Sequence, residues 1–372
     1  MKKKIVSVLL SAVMVSSLMF GTAGCGKKEE SEVAATEEKT TQEVTTEAEE
    51  VAPEGMARSF LTGEWVDEDI ANQRPVAFMI ENTSASVPSY NSSNADIYYE
   101  APEEGGITRI MALYNDVSGL GTIGNIRSTR PYFVYAALAF DAILAHCGGS
   151  VETYQNLLDP GLIDNLDERI GAGGFFRDDS RSAPHNLYAD SDKIQSAISD
   201  KGYRTTYSDD FEGYFKFNKN DKEEIQLDGD DCAVVKVYQS DNKPWFVYNE
   251  EDGLYYRYEF GSEQMDGKTE TQLAVKNVII QECSVQAYYD EQNHDRVSVG
   301  FEGTGNGKYI TNGKVIDVTW KCNGGGGVTH YYDKNGDEIV LNQGKTWINV
   351  MDASQASNNV IYSTVKDYEA SK

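Results

Sequence analysis

PYFVYAALAFDAILAHCGGS, Pro131 to Ser150, holds a helix, a buried strand and the start of a second helix. Pro131 suits a first helical position, where its missing N–H has no partner to lose. The run then passes into a short apolar strand, Ala142 to His146, bounded by turn residues. Gly148 and Gly149 make the turn, and Ser150 caps the helix VETYQNLL.

The neighbouring segments extend this pattern. PVAFMIEN (Pro75–Asn82) and ADIYYEA (Ala95–Ala101) are short runs of strand formers. ITRIMALYND alternates in and out at Ile107, Arg109, Met111 and Leu113. Downstream, SDKIQSAISDKG is a capped helix from Ser191 that stops at Gly202. Strands mixed with helices at this spacing predict an α/β layer domain with a mixed sheet over residues 74–218.

The polar residues of this domain gather at strand ends. Glu103, Glu104, Thr108 and Arg109 lie in the turn EEGGITR; Arg127, Ser128 and Arg130 precede the Pro131 helix; His146, Gly148, Gly149 and Ser150 form the turn AHCGGS. Open α/β sheets bind ligands at the carboxyl ends of their strands, and helix starts favour anions. A cleft floored by AHCGGS and flanked by Arg127 and Arg130 suits a phosphate or carboxylate. Arginine serves equally well in a structural ion pair with Glu103, Glu104 or Asp179.

RDDSRSAPHNLY, Arg177 to Tyr188, adds Asp179, Arg181, His185 and Asn186. As a ligand cleft, the site comprises Arg109, Arg127, Ser128, Arg130, His146, Gly148, Gly149, Ser150, Arg181 and Asn186. As a catalytic site, Glu104 or Asp179 acts as acid or base with His185, beside an anion held by Arg127 and Arg130. As architecture, the same motif is an Arg/Asp network ordering a loop, with Pro184 fixing its approach and His185 or Asn186 bonding backbone. GGSVE is no GxSxG elbow, nothing near Cys147 clearly lowers its pKa for pairing with His185, and no dense ligand motif marks a metal. No cofactor motif is evident either.

The second half, residues 231–352 after a linker at 219–230, is almost all strand. Asp252-Gly253, Asn312-Gly313 and Asn335-Gly336 are hairpin dipeptides, so an antiparallel sandwich or barrel is expected. Trp245, Tyr255, Tyr256, Tyr258, Trp320, Tyr331 and Tyr332 are candidates for a sugar-stacking face or for plain core. Residues 353–372 read as a tail, and the whole chain as α+β.

The amino terminus addresses the chain. Three lysines precede an apolar run from Ile5 to Phe20, and small residues lead directly to Cys25, the pattern of a bacterial lipoprotein signal over residues 1–25. The thiol of Cys25 would carry the lipid. Residues 26–73 read as a disordered acidic tether of on the order of 45–50 residues, spanning roughly 35–40 Å as a coil. The formal net charge of -27 excludes a nucleic-acid backbone and adsorption to anionic lipid as partners. Cys147, Cys232, Cys283 and Cys322 show no zinc spacing; they read as small buried residues, with the pairing of any disulfide open.

Taken in order, RPVAFMIEN, ADIYYEAPEEGGITRIMALY, IGNIRSTRPYFVYAALAFDAILAHCGGS and RDDSRSAPHNLY resemble the YerB-like bacterial lipoproteins, a Gram-positive family of unknown function; NGK…W and GKTWINV extend the resemblance to Met351. It implies an N-terminal α/β domain, a β-rich C-terminal domain and anchoring through Cys25; it supplies no reaction. The expectation is a lipid-anchored protein on the outer face of the bacterial cytoplasmic membrane. It would bind a cell-envelope component: a glycan, a peptide or a wall-metabolism protein. The competing expectation is an envelope hydrolase acting on a phosphate- or glycan-containing substrate.

Overall fold

The computed structural model describes residues 52–372. The signal segment, Cys25 and the tether as far as residue 51 lie outside them.

The first half supplies β1 (Val76–Asn82), β2 (Ile97–Pro102), β3 (Thr108–Tyr114), α1 (Pro131–Ala139), β4 (Ile143–His146), α2 (Val151–Thr153, running on as a π-type turn to Leu158), β5 (Asn165–Asp167) and α3 (Ser191–Lys201). The second half supplies β6 (Val234–Lys236), β7 (Trp245–Asn249), β8 (Leu254–Glu259), β9 (Asn277–Tyr289), β10 (Asp295–Gly300), β11 (Gly303–Thr311), β12 (Lys314–Cys322), β13 (Thr329–Tyr332), β14 (Thr346–Asp352), β15 (Val360–Tyr362) and α4 (Val365–Ala370).

Among the described residues, strands of both halves join in one mixed twelve-stranded sheet. Its order is Asp230–Asp231, β12, β11, β9, β14, β2, β3, β1, β4, β5, with β10 along the far end of β9 and β13 on β12. The junction is β14, which lies parallel to both β9 and β2. An antiparallel sandwich or barrel was expected for the second half; its strands are antiparallel to one another except at β9–β14, but they do not close on themselves. Instead its last long strand is inserted beside β2, because both faces of β14 are apolar and need cover: Ile348 and Val350 on one side, Trp347 and Met351 on the other, all buried. A second, antiparallel sheet runs Ser262–Glu263, β8, β7, β6, β15, with Ala274–Val275 on β8.

The strand period of two sorts each strand between two cores. In β1, Ala77 and Met79 join the core under α1, with Phe133 and Phe140; Val76, Phe78 and Ile80 join the core shared with α3 and the second sheet. Across that second layer runs a buried ion pair. Arg257 of β8 donates to Glu100 of β2 at 2.8 Å, and the guanidinium lies 4.0 Å over the ring of Trp347 from β14. Trp347 Nε1 and Asn242 Nδ2 also donate to Glu100, at 3.0 and 2.8 Å.

Local signals operate much as their chemistry dictates. Asn312 and Gly313, both at positive φ, close the two-residue hairpin between β11 and β12. Ser150 accepts from Thr153 N as a helix cap, while α3 is capped by Asp190 and ends at Gly202 in the left-handed region. Two boundaries move. Met56–Arg58 and Trp65–Asp67 pair as a hairpin inside the segment read as tether, because Leu61 is buried and Phe60 packs edge-on to Tyr207. The segment read as a tail also folds: β15 pairs with β6, and Tyr368 of α4 is buried against Tyr362. Cys147, Cys232, Cys283 and Cys322 are all free.

Candidate functional site: an arginine cavity at the sheet edge

Strand directions place the site. β4 runs parallel to β1 and β5 parallel to β4, while β1 and β2 both run antiparallel to β3. The carboxyl ends of β1, β2, β4 and β5 therefore share one edge of the sheet. Along that edge lies a cavity of about 470 Å³, walled by the β2–β3 turn, the segment Ile126–Arg130, the turn after β4 and the residues after β5.

Five arginines line it: Arg109, Arg127, Arg130, Arg169 and Arg177. They differ in how far they are spent. Arg130 grips Glu104 with two parallel bonds, Nε to Oε1 at 2.9 Å and Nη2 to Oε2 at 2.6 Å. Its Nη2 also lies 2.8 Å from Glu103, which pairs in turn with Arg109. Burial raises the Glu103 carboxyl and lowers the Arg109 guanidinium. Burial also works against the Glu104 carboxylate, yet the Arg130 guanidinium outweighs it and holds the pKa below the usual glutamate value. This half of the cavity is neutralised by its own acids.

The other half is not. Arg127 reaches Glu81 only at 3.5 Å, and Arg177 lies 3.8 Å from Glu168. Arg169 spends its main-chain N–H on Asp167 and has no ion-pair partner among the described residues. Gly148 lets these groups approach. It sits at positive φ, and a Cβ there would meet the Arg169 side chain at 3.1 Å. Tyr154, in the turn after α2, adds an aromatic wall, with its hydroxyl bonded to Asp167. Cys147 donates its thiol proton to Glu168 at 3.1 Å; burial and that bond push its pKa up to about 12. A thiol so held stays protonated and is a poor nucleophile.

Of the residues expected at the site, Glu104, Arg109, Arg127, Ser128, Arg130, Gly148 and Gly149 line the cavity. Others stand behind it. His146 is fully buried between Gly148 O and Asn165 Oδ1 and shapes the turn. Ser150 uses its hydroxyl as the helix cap. Arg181 ties Asn125 Oδ1 and Pro88 O together, at 3.1 and 2.8 Å, and Asn186 accepts from Arg177 at 2.9 Å. The three candidate acid–base groups are not brought together. Glu104 is clamped by Arg130, His185 contacts Glu81 at 2.8 Å behind Arg127, and Asp179 is exposed and absent from the lining. RDDSRSAPHNLY therefore acts largely as a clamp, giving the cavity Arg177, Pro184 and Leu187.

Sequence reasoning missed Arg169, Arg177 and Tyr154 as site residues. Arg169 follows β5, a strand of only three residues whose pattern is too short to read. Once β5 is recognised as a parallel strand, the residues after its carboxyl end become candidates by the same rule that selected AHCGGS. The second half also reaches this edge. β9 and β10 extend beyond the sheet as a hairpin, and Tyr288 donates to Glu152 of α2 at 2.7 Å.

Known proteins match along most of this length. The family described as "Protein of unknown function (DUF3048) N-terminal domain" matches residues 61–204, and the corresponding C-terminal domain residues 233–348. The chain is 30% identical over 297 residues to a Bacillus subtilis protein named "Putative lipoprotein YerB", covering 78% of this chain and 85% of that one. The crystal structure of Bacillus subtilis YerB superposes with a TM-score of 0.71 at 28% identity, covering 82% of this chain and 99% of that one.

Proposed function

The chain belongs to the YerB-like lipoprotein family of unknown function, and on that premise we propose that it is held at the outer face of the membrane through Cys25, where it binds an anionic group of a cell-envelope component. One observation carries the reading: in a chain of net charge -27, five arginines converge on one cavity, and Arg127, Arg169 and Arg177 are incompletely neutralised there. Concentrating cations against the overall charge raises the local affinity for anions, and partly dried arginine forks suit phosphate or carboxylate oxygens. The cavity wall from Ile107, Ile126, Leu187 and Tyr154 leaves room for an apolar or ring-bearing group beside the anion.

Binding is favoured over hydrolysis by the state of the acids. A carboxylate clamped by two guanidinium bonds is a weak proton donor near neutral pH, and the lining thiol is protonated. The test uses the full chain in detergent with purified cell-wall sacculi, read by co-sedimentation and by mass spectrometry of released fragments. Retention that falls with salt, is lost in an Arg127→Ala, Arg177→Ala variant and releases no fragments is the expected result. Fragment release by the native chain alone would replace binding with hydrolysis. No retention would turn the reading to a protein partner.

A further inference from the structure

A second groove borders the amino-terminal ends of β2, β9 and β14, lined by residues of both halves. At about 830 Å³ it is larger than the arginine cavity. Its chemistry is the opposite: Glu64, Glu224 and Asp252 outnumber Lys276 and Lys345, and Lys276 is already paired with Glu224 at 2.7 Å. An anion is disfavoured there. Uncharged hydrogen-bonding groups from both halves of the sequence share the lining with apolar surface from Leu254, Ala274 and Val275.

Three amides in the wall have their orientation fixed by their partners. Gln272 and Gln343 each donate from the amide nitrogen to a main-chain carbonyl, of Arg257 and Asn218, both at 2.8 Å. Asn94 donates to Asn91 Oδ1 at 3.1 Å, and Asn91 must accept because its own amide nitrogen serves Leu120 O and Thr122 O. All three side-chain carbonyls are thereby left as acceptors. Beside them runs a chain of hydroxyls. Ser93 Oγ donates to the buried Asp266 at 2.8 Å and meets Thr269 Oγ1 at 2.9 Å, which meets Thr271 Oγ1 at 2.6 Å. Tyr256 supplies an aromatic surface. It lies on the outward face of β8, opposite Ala274, whose methyl group leaves space beside the ring. Its hydroxyl is held by Asp252 at 2.6 Å.

Many acceptors, relayed hydroxyls and one ring call for a ligand rich in O–H donors with an apolar C–H face. We propose that this groove is a binding site for a neutral oligosaccharide. A peptide carries as many carbonyls as N–H groups and would leave acceptors facing acceptors. The site is distinct from the arginine cavity and does not depend on the reading of that cavity.

The test is saturation-transfer NMR on the full chain in detergent. The probes are tetra-N-acetylchitotetraose and cellotetraose, with tetra-alanine as a non-sugar control. Saturation of the ring protons of at least one oligosaccharide is expected, with a loss of about tenfold or more in Tyr256→Ala and retention in Tyr256→Phe. Thr271→Val should weaken it too, and Arg127→Ala, Arg177→Ala should leave it unchanged. Melting temperatures of all variants report folding. The proposal is overturned by silence from both sugars, by an equal signal from tetra-alanine, or by a signal that survives Tyr256→Ala.

Discussion

Glu104 and Cys147 line the same cavity, and each is tied up by one neighbour. Glu104 spends its charge on Arg130, so Glu104→Gln releases an arginine fork to the cavity. Affinity for an inorganic phosphate probe should therefore rise several-fold in Glu104→Gln. It should fall roughly tenfold or more in Arg127→Ala, as a charge-assisted bond of about 1.5–3 kcal/mol is lost. Calorimetric titration of both variants checks the pair; a fall in Glu104→Gln would mean that the carboxylate itself contacts the ligand. Cys147 should react slowly with iodoacetamide at pH 7.5, since burial and Glu168 push its thiol up to about 12. Glu168→Gln removes the acceptor charge and should speed alkylation severalfold, read by mass spectrometry. At this scale the sequence was only half legible. Gly148, Gly149 and the arginines before Pro131 could be placed at one sheet edge, where they line one cavity, because strand ends and helix starts have recognisable chemistry. His185, Asp179 and Arg181 looked equally suitable, and nothing local distinguishes an arginine facing a cavity from one holding Pro88 and Asn125 in place.

Among the elements, β14 joins the two halves, lying parallel between β9 and β2 with Ile348 fully buried. Ile348→Ala should cost about 2–5 kcal/mol, by lost transfer energy plus the cavity left behind. Urea unfolding measures it, and a loss under 1 kcal/mol would mean that the junction is loosely packed. The longer strands and helices of the first half were readable because they combined a period with a cap or turn. The hairpin at Asn312-Gly313 was readable because few residues adopt both positive φ angles. The placement of β14 was not readable. TWINVM states that both its faces are apolar, but not which strands cover them, and parallel partners are remote in sequence. The short strand β5 fails for lack of length, and the hairpin of Met56–Arg58 with Trp65–Asp67 was hidden by the acidic segment before it.

For the molecule as a whole, the buried polar seam makes stability depend on pH. Burial raises Glu259 to about 7 and Asp96 to about 6. Each has a folded pKa above its unfolded value, so between the two values the folded chain binds more protons than the unfolded chain. Stability must then fall as pH rises, from about 4.5 to about 7 for Glu259 and from about 3.8 to about 6 for Asp96. The chain should be more stable at pH 5 than at pH 7.5, by roughly 2–4 kcal/mol in urea, and Glu259→Gln should flatten much of that slope. A flat profile in the native chain would mean that Arg257 keeps Glu259 ionised throughout. The same seam bears on whether residues 74–218 and 231–352 are separate folding units. A fragment ending at Asn218 loses β14, exposing the edge of β2, and loses Arg257, Asn242 and Trp347, which pair and cover Glu100. Residues 52–372 should accordingly unfold in one calorimetric transition, while the fragment should bind hydrophobic dye and melt without a cooperative transition. Co-expression with residues 219–372 should restore the transition. A fragment that melted cooperatively alone would instead establish the first half as an autonomous domain to which β14 is merely docked.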